Sequence, residues 1–163
     1  MHAKLISCLE GCLVLYLTAA GSAAEWGHYG NARYGYWIDI PPGFSPLAEA
    51  DNGDGGSSES SRGDAKLSVW GSFITEPDFT SEVSWRIQQD KADGWKISYE
   101  TSKEHRASWT GLRGTRMMYQ RAITLCRDAA AYFRIEYDQS QNAAFDPIVE
   151  RLVKSLRWDG VCR

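Results

Sequence analysis

Alternating apolar and polar positions predict the strands of this chain. The clearest alternation runs over residues 95–102, where Trp95, Ile97, Tyr99 and Thr101 are separated by charged or small polar residues. This pattern is typical of a strand with one buried face and one solvated face. Similar alternation, or a run of β-favouring residues, predicts further strands, the first two of them joined as a hairpin: 26–33, 36–40, 67–73, 107–110, 115–126 and 130–137.

A helical period predicts one helix in the middle of the chain. Phe79, Val83 and Ile87 recur on one helical face, and a Pro-Asp pair that is typical of a helix start comes just before them. Gly94 ends the pattern. We therefore predict a helix at Thr80–Ala92 with a narrow apolar stripe.

A second helix is predicted close to the end of the chain. Asp146 is expected to cap it, and Pro147 is expected at its first position, where a missing N–H does no harm. The apolar residues that follow form a broad face that is expected to pack on a sheet: Ile148, Val149, Leu152, Val153 and Leu156.

The order of these elements predicts the fold class. Strands come first, then a helix, then antiparallel strands and a final helix. Such an order is typical of the α+β class. We expect a single antiparallel sheet of about six strands, flanked by the two helices.

Residues 51–64 interrupt this pattern. The segment contains only Asp, Asn, Gly, Ser, Glu and Arg, so it has no apolar side chain to bury. Such a composition is typical of a long solvated loop. We expect a mobile acidic loop within a domain that covers residues 25–163.

The first 24 residues have the features of a cleaved secretory signal peptide. Lys4 provides a positive charge, residues 13–17 are apolar, and small residues at 22–24 precede Glu25. The apolar stretch is too short to span a membrane, although an uncleaved anchor is the alternative. We predict a periplasmic or secreted protein that has no integral membrane segment after cleavage.

Cleavage would also change the cysteine count. Cys8 and Cys12 would leave with the signal peptide, and Cys126 and Cys162 would remain. A pair of cysteines in an oxidising compartment predicts a disulfide. Two unpaired thiols are the alternative.

The charge of the chain argues against two classes of partner. The net charge is −3, and no cluster of Lys and Arg is present. Nucleic-acid binders carry a basic patch, and proteins that lie on membrane surfaces often carry a basic amphipathic helix. We therefore expect no nucleic-acid partner.

Residues that would support catalysis are sparse. The chain has no Gly-x-Ser-x-Gly nucleophile motif, and after cleavage its only histidines are His28 and His105. Both are interpreted as ordinary surface histidines. An envelope hydrolase would need a site assembled outside any motif, for example from Asp39, His105 and Asp138.

One short segment has the chemistry of a calcium site. Asp51 and Asp54 offer carboxylate oxygens on a Gly-rich turn, and Ca²⁺ prefers hard oxygen ligands. The spacing departs from the EF-hand rule, because glycines stand where ligands are needed and position 62 is Arg. A plain turn is therefore the favoured interpretation, and no other cofactor is expected.

Aromatic residues indicate a candidate binding surface. The chain has seven tryptophans, and three of them, Trp70, Trp95 and Trp109, are expected to fill the core. Near the N-terminus, Trp26, Tyr34 and Trp37 are crowded together. A large aromatic ring binds ligands well where one of its faces is exposed to solvent, so these three are the candidate surface residues.

Several phrases of the sequence occur in an order that resembles a known group of proteins. They are residues 31–36, 38–41, 51–55, 67–71, Cys126, 134–137 and 145–149. The chain resembles small exported bacterial proteins of uncharacterised function, common in alphaproteobacteria, which are related to the PsbP/Mog1-like fold. The resemblance implies an antiparallel sheet flanked by helices and carries no catalytic assignment.

The favoured hypothesis is therefore an exported, non-enzymatic binding or accessory domain. Its partner would be a protein or a small ligand of the cell envelope. The alternatives are the envelope hydrolase and a calcium-stabilised structural domain.

Overall fold

The computed structural model describes residues 25–126 and 128–162. The predicted signal peptide lies outside these residues. Ten strands and two α-helices follow one another in this part of the chain: β1 (Gly27–Asn31), β2 (Tyr36–Ile40), β3 (Ala48–Glu49), β4 (Gly55–Glu59), β5 (Lys66–Phe73), α1 (Phe79–Ala92), β6 (Lys96–Lys103), β7 (Arg106–Arg113), β8 (Arg116–Thr124), β9 (Ala129–Asp138), α2 (Asn142–Ser155) and β10 (Arg157–Trp158).

The strands form two antiparallel sheets and not the single sheet that was predicted. The large sheet has the order β3-β4-β5-β9-β8-β7-β6, and the small sheet has the order β1-β2-β10. Helix α1 covers one face of the large sheet. The small sheet and α2 cover the other face. The α+β class with two helices is confirmed.

Two apolar cores hold these layers together. Under α1, the buried Val83 and Ile87 pack against Trp109 of the large sheet, whose side chain is fully buried. On the other face, Ile38 of the small sheet and Leu152 of α2 pack into a second core. Of the three tryptophans expected in the core, Trp95 and Trp109 are buried and Trp70 is half-buried.

Buried ion pairs accompany the apolar core under α1. Glu82 is 1% exposed, and its carboxylate lies 2.7 Å from a guanidinium nitrogen of Arg86. Asp90 is 4% exposed, accepts a hydrogen bond of 2.7 Å from Trp109 Nε1 and pairs with Arg134. Each buried carboxylate therefore has a cationic partner, as burial of a charge requires.

Helix α1 begins and ends almost where the sequence predicts. Its first turn is capped by Asp78, whose carboxylate accepts a hydrogen bond of 2.7 Å from the backbone N–H of Ser81. Its last residue is Ala92, and Gly94 follows with φ of 88°. That conformation favours glycine and turns the chain into β6.

Helix α2 corrects the predicted start of the last helix. It begins at Asn142, four residues before the expected cap Asp146, and Pro147 therefore lies inside it. The extra turn buries Phe145, whose ring stacks on Tyr137 with centroids 4.2 Å apart. Packing of this ring outweighs the hydrogen bond that Pro147 cannot make.

The centre of segment 51–64 is a strand, so the prediction of one long loop was wrong. Strand β4 pairs with β5 along its whole length, and its glycines allow the close approach. A Cβ atom added to Gly55 would lie 2.0 Å from the carbonyl oxygen of Val69. Backbone pairing thus replaces the apolar side chains that the sequence pattern lacked.

A bulge corrects the alternation predicted for β6. The strand is present, but its register shifts between Ile97 and Tyr99. Ile97 faces α1, whereas Tyr99 points to the opposite face and is 53% exposed. One extra residue in a strand reverses the face of every residue that follows.

The predicted disulfide is confirmed. Cys126 and Cys162 are bonded, with their Cα atoms 5.4 Å apart. The bond joins the tail after β10 to the chain just after β8, and it therefore links the small sheet to the large one. Within residues 25–126 and 128–162, no helix has the length and apolar character that a membrane span requires.

Candidate functional site

The solvent side of the small sheet collects aromatic and charged side chains on one surface. The register places His28 opposite Asp39, and Trp37 opposite both Gly30 and Arg157. Residues directly opposite each other in a sheet point to the same side. We call this surface the outer face; it comprises these five residues together with Trp26 and Arg151, which border it.

Trp37 is the most exposed aromatic residue of the outer face. The residue is 44% exposed, and its ring lies over the backbone of Gly30. A Cβ atom added to Gly30 would lie 2.8 Å from the ring, so glycine is the residue that lets the ring lie flat. One face of the indole is thus held on the sheet, and the other is presented to solvent.

Asp39 organises the charged part of the outer face. Its carboxylate accepts hydrogen bonds from Nδ1 of His28 at 2.9 Å and from Nε of Arg151 at 2.8 Å. Its backbone N–H donates to Oγ of Ser155 at 3.1 Å. Burial alone would raise the pKa of Asp39, but the hydrogen bonds from Arg151 and His28 outweigh burial and lower it.

His28 is oriented by this carboxylate. Because an ionised carboxylate only accepts, the ring hydrogen is on Nδ1, and Nε2 keeps its lone pair in the neutral form. The His28 side chain is 64% exposed, so the ring is accessible to solvent. This arrangement can act as a base or bind a donor. In the described part of the chain, however, no serine, threonine or cysteine is hydrogen-bonded to His28.

The three aromatic residues predicted as a binding surface do not lie together. Trp26 borders the outer face and is half-buried, with the Arg151 guanidinium 4.3 Å from its ring centroid. Tyr34 lies elsewhere, packed over Gly71. Only Trp37 combines a fixed position with a broadly exposed ring, and the predicted binding role of all three stays a prediction.

The proposed calcium ligands make other interactions. One Asp54 oxygen pairs with Arg33 at 2.8 Å, and the other accepts a hydrogen bond of 2.9 Å from the Asn52 side chain. Asp51 lies exposed in the turn. Among the described residues, no three side chains of His, Cys, Asp or Glu converge as metal ligands. Calcium binding stays a prediction.

The residues named for a hydrolase lie in three separate networks. Asp39 belongs to the outer face. His105 lies beside Glu104, with the closest ring nitrogen to carboxylate distance 3.6 Å. Asp138 accepts hydrogen bonds from Ser140 at the short 3-10 helix that precedes α2. The structure does not bring the three together.

Sequence reasoning missed the two partners of Asp39. His28 was interpreted as an ordinary surface residue, although a hairpin register counted from its turn would have placed it opposite Asp39. Arg151 lies 112 residues away in the sequence and reaches Asp39 only through the packing of α2. No local pattern signals that contact.

Comparison with known proteins shows the fold. No family model matches the chain, and no curated protein matches it. Among solved structures, it is similar to cyanobacterial PsbP (CyanoP) from Synechocystis sp. PCC 6803, with a TM-score of 0.63 and 15% identity over 87% of this chain and 98% of that chain. It is also similar to a protein of unknown function from Pseudomonas aeruginosa, with a TM-score of 0.44 and 11% identity over 85% of this chain and 96% of that one.

The chain thus has a PsbP-like fold, as the sequence resemblance implied. At 15% identity the similarity shows the fold alone. What the protein does has to be argued from its own residues.

Proposed function

We propose that this protein is an exported accessory domain that binds a protein partner in the cell envelope through its outer face. The observation that carries the proposal is Trp37. Its ring is fixed on Gly30, 44% of the residue is exposed, and charged groups lie beside it. A large apolar ring held in water in this way is typical of an interaction site.

The composition of the outer face favours a protein partner. Trp and Arg are the residue types that most often dominate the energy of protein interfaces, and the face presents Trp37, Arg151 and Arg157. Trp37 and Arg151 are already held in place, by Gly30 and Asp39, so little side-chain freedom would be lost on binding.

The shape of the surface supports the same choice. Sites for small molecules are concave and enclose most of their ligand, whereas the outer face is an open sheet surface. A hollow of about 460 Å³ lies at its edge, lined in part by His28, Tyr29 and Phe44. It has room for a side chain of a partner that lies across the sheet.

Export is supported by two features of the chain. One is the signal-peptide pattern of residues 1–24. The other is the Cys126–Cys162 disulfide, which an oxidising compartment would preserve. Intact mass measurement of protein from the source cells should give a chain that starts at Glu25 and lacks two hydrogens. A mass that includes Met1 or two thiols would contradict export.

Binding is favoured over catalysis because, among the residues that the structure describes, no hydroxyl or thiol is hydrogen-bonded to the oriented histidine. The His28–Asp39 pair supplies a base, but catalysis of acyl transfer would also need a hydroxyl or thiol within hydrogen-bond reach. Between residues 25 and 162, with residue 127 left aside, no such group is hydrogen-bonded to the imidazole. The pair therefore serves binding in this proposal.

Photocrosslinking can test the outer face directly. Trp37 or Trp85 would be replaced by benzoylphenylalanine, and the cells would be irradiated. Trp85 is a matched control, because it is 45% exposed on α1, on the other side of the molecule. We expect a specific covalent adduct from position 37 and none from position 85. Equal adducts from both positions, or none from position 37, would contradict the proposal.

A further inference from the structure

A groove runs along the side of α2 that faces away from the outer face. Arg151 and Ser155 of α2 reach the outer face, and Val149 and Val153 lie about half a turn around the helix. The groove has a volume of about 530 Å³, within the usual size of small-molecule sites. Its lining is mostly apolar, and four strand residues form its floor: Thr110, Met117, Tyr119 and Tyr137.

Arg121 lies on the same sheet face as this groove, one residue pair beyond its floor. Thr110 and Tyr119 of the floor are opposite each other in β7 and β8. The next pair on the same face is Ser108 and Arg121, about 7 Å further along the strands. The floor thus continues from apolar and aromatic side chains to a guanidinium group.

The described residues satisfy the guanidinium of Arg121 only in part. Its Nη1 donates to Oγ of Ser108 at 2.9 Å, whereas its Nε is buried without a hydrogen-bond acceptor. In the described chain no carboxylate forms an ion pair with it. By contrast, Arg86 and Arg134 each pair with a buried carboxylate. Burial of an unpaired charge is costly, which makes Arg121 a candidate for an external anion.

The charges at the two ends of the groove differ in sign. Arg106 lies on the same face, one further pair along from Ser108 and Arg121, and its charge adds to that of Arg121. Asp146 lies at the other end, near Tyr137, whose pKa is raised by burial and, to a smaller extent, by the Asp146 charge. On the helix wall, Glu150 is paired with Lys154 at 3.8 Å. An anionic group is therefore favoured at the Arg121 end only.

We infer that the groove binds a small carboxylic acid with an apolar tail. The carboxylate would accept hydrogen bonds from the Arg121 guanidinium, whose planar donors match carboxylate geometry. The tail would lie along the groove between α2 and the floor. This site is separate from the outer face, so its failure would leave the proposed function untouched.

Isothermal titration of the purified protein with decanoate, decanol and acetate tests the inference. Decanol carries a comparable tail without the charge, and acetate carries the head without the tail. We expect decanoate to bind about tenfold or more tightly than decanol, since hydrogen bonds to charged groups are the stronger kind. Acetate should show no binding at the same concentration.

Two substitutions identify the anion contact. Arg121→Gln should make decanoate and decanol bind equally. Arg113→Gln, which replaces an exposed arginine at the end of the neighbouring strand β7, should change neither affinity. Melting curves would confirm that both variants are folded, and amide shifts of Thr110 and Tyr119 would place the ligand in the groove. The inference is overturned if decanoate does not bind, if decanol binds as tightly, or if Arg121→Gln binds decanoate unchanged.

Discussion

The two faces of the large sheet differ in whether their buried charged side chains are paired. Beneath α1, the carboxylates of Glu82 and Asp90 are almost fully buried, and each is paired with an arginine. On the face covered by the small sheet and α2, Arg121 is half-buried, and no carboxylate in the described part of the chain pairs with it. The charged side chains beneath α1 therefore satisfy one another. On the other face, the Arg121 guanidinium still has donors that a ligand can satisfy.

This difference separates structural from functional chemistry. A buried ion pair adds little net stability, but removal of one partner leaves a buried charge and is strongly destabilising. The side chains beneath α1 are therefore committed to the fold. The side with the small sheet and α2 carries the outer face and the groove, and both have groups that are available to solvent.

The largest expected effect comes from removing a buried charge beneath α1. Asp90→Asn should lower the free energy of unfolding by about 4 kcal/mol, because the largely buried Arg134 then loses its anionic partner. The matched control is Asp146→Asn on α2, which is exposed and should change stability by less than about 0.5 kcal/mol. Urea denaturation of both variants measures the difference. Equal losses of stability in the two variants would contradict the structural role of the Asp90–Arg134 pair.

The Cys126–Cys162 disulfide should contribute nearly as much to the free energy of unfolding, through the small sheet. Replacement of Cys126 and Cys162 by serine opens a closed loop with a sequence separation of 36 residues. The chain-entropy model gives a loss of about 3–4 kcal/mol. Hydrogen exchange should rise first in the small sheet, which the bond links to the large one. A uniform rise that includes α1 would contradict separate support of the two layers.

Acid should weaken contacts on the side that α2 covers. The hydrogen bond from Ser60, followed by one from Gln141, lowers the pKa of Asp64 from 3.8 to about 2. A carboxyl with a lower pKa in the folded state stabilises above its unfolded pKa and loses that contribution as pH falls. Stability should therefore drop between pH 4 and pH 2, and Asp64→Asn should show a shallower drop. An unchanged slope in thermal melts would contradict this assignment.

The smallest expected change in stability is that of Arg121→Met, and it tests whether Arg121 differs from the paired arginines beneath α1. Arg121→Met removes a partly desolvated charge that is paired with no carboxylate of residues 25–126 and 128–162, so stability should stay within about 0.5 kcal/mol or increase. Arg134→Met, beneath α1, should destabilise the protein because it leaves Asp90 without its cation. Differential scanning calorimetry of the two variants provides the comparison. A large loss for Arg121→Met would show that Arg121 is itself a structural residue.

Local patterns predicted the elements well where apolar spacing was regular. The stripe of Phe79, Val83 and Ile87 gave helix α1, and the alternation near residue 100 gave β6. They failed where backbone or distant packing decided the outcome. Strand β4 forms because its glycines let the backbone pair closely with β5. The extra turn of α2 forms because Phe145 stacks on Tyr137.

The candidate sites were less predictable than the fold, because they depend on contacts between distant segments. Trp37 was identified by its chemistry, but its exposure depends on Gly30 across a hairpin. Arg121 carries no sequence signal, since its lack of a partner is a property of the folded sheet. Residue type therefore indicates candidates, and only the fold shows which of them stay available.

The central claim is that the side of the molecule with the small sheet binds a protein partner, whereas the side chains beneath α1 stabilise the fold. The most direct test is the affinity for the partner captured at position 37, measured with the Trp37→Ala and Trp85→Ala variants. The two tryptophans are equally exposed, so loss of apolar surface is matched. We expect Trp37→Ala to weaken binding about tenfold or more and Trp85→Ala to leave it unchanged. Equal effects of the two variants, or a larger effect of Trp85→Ala, would contradict the claim.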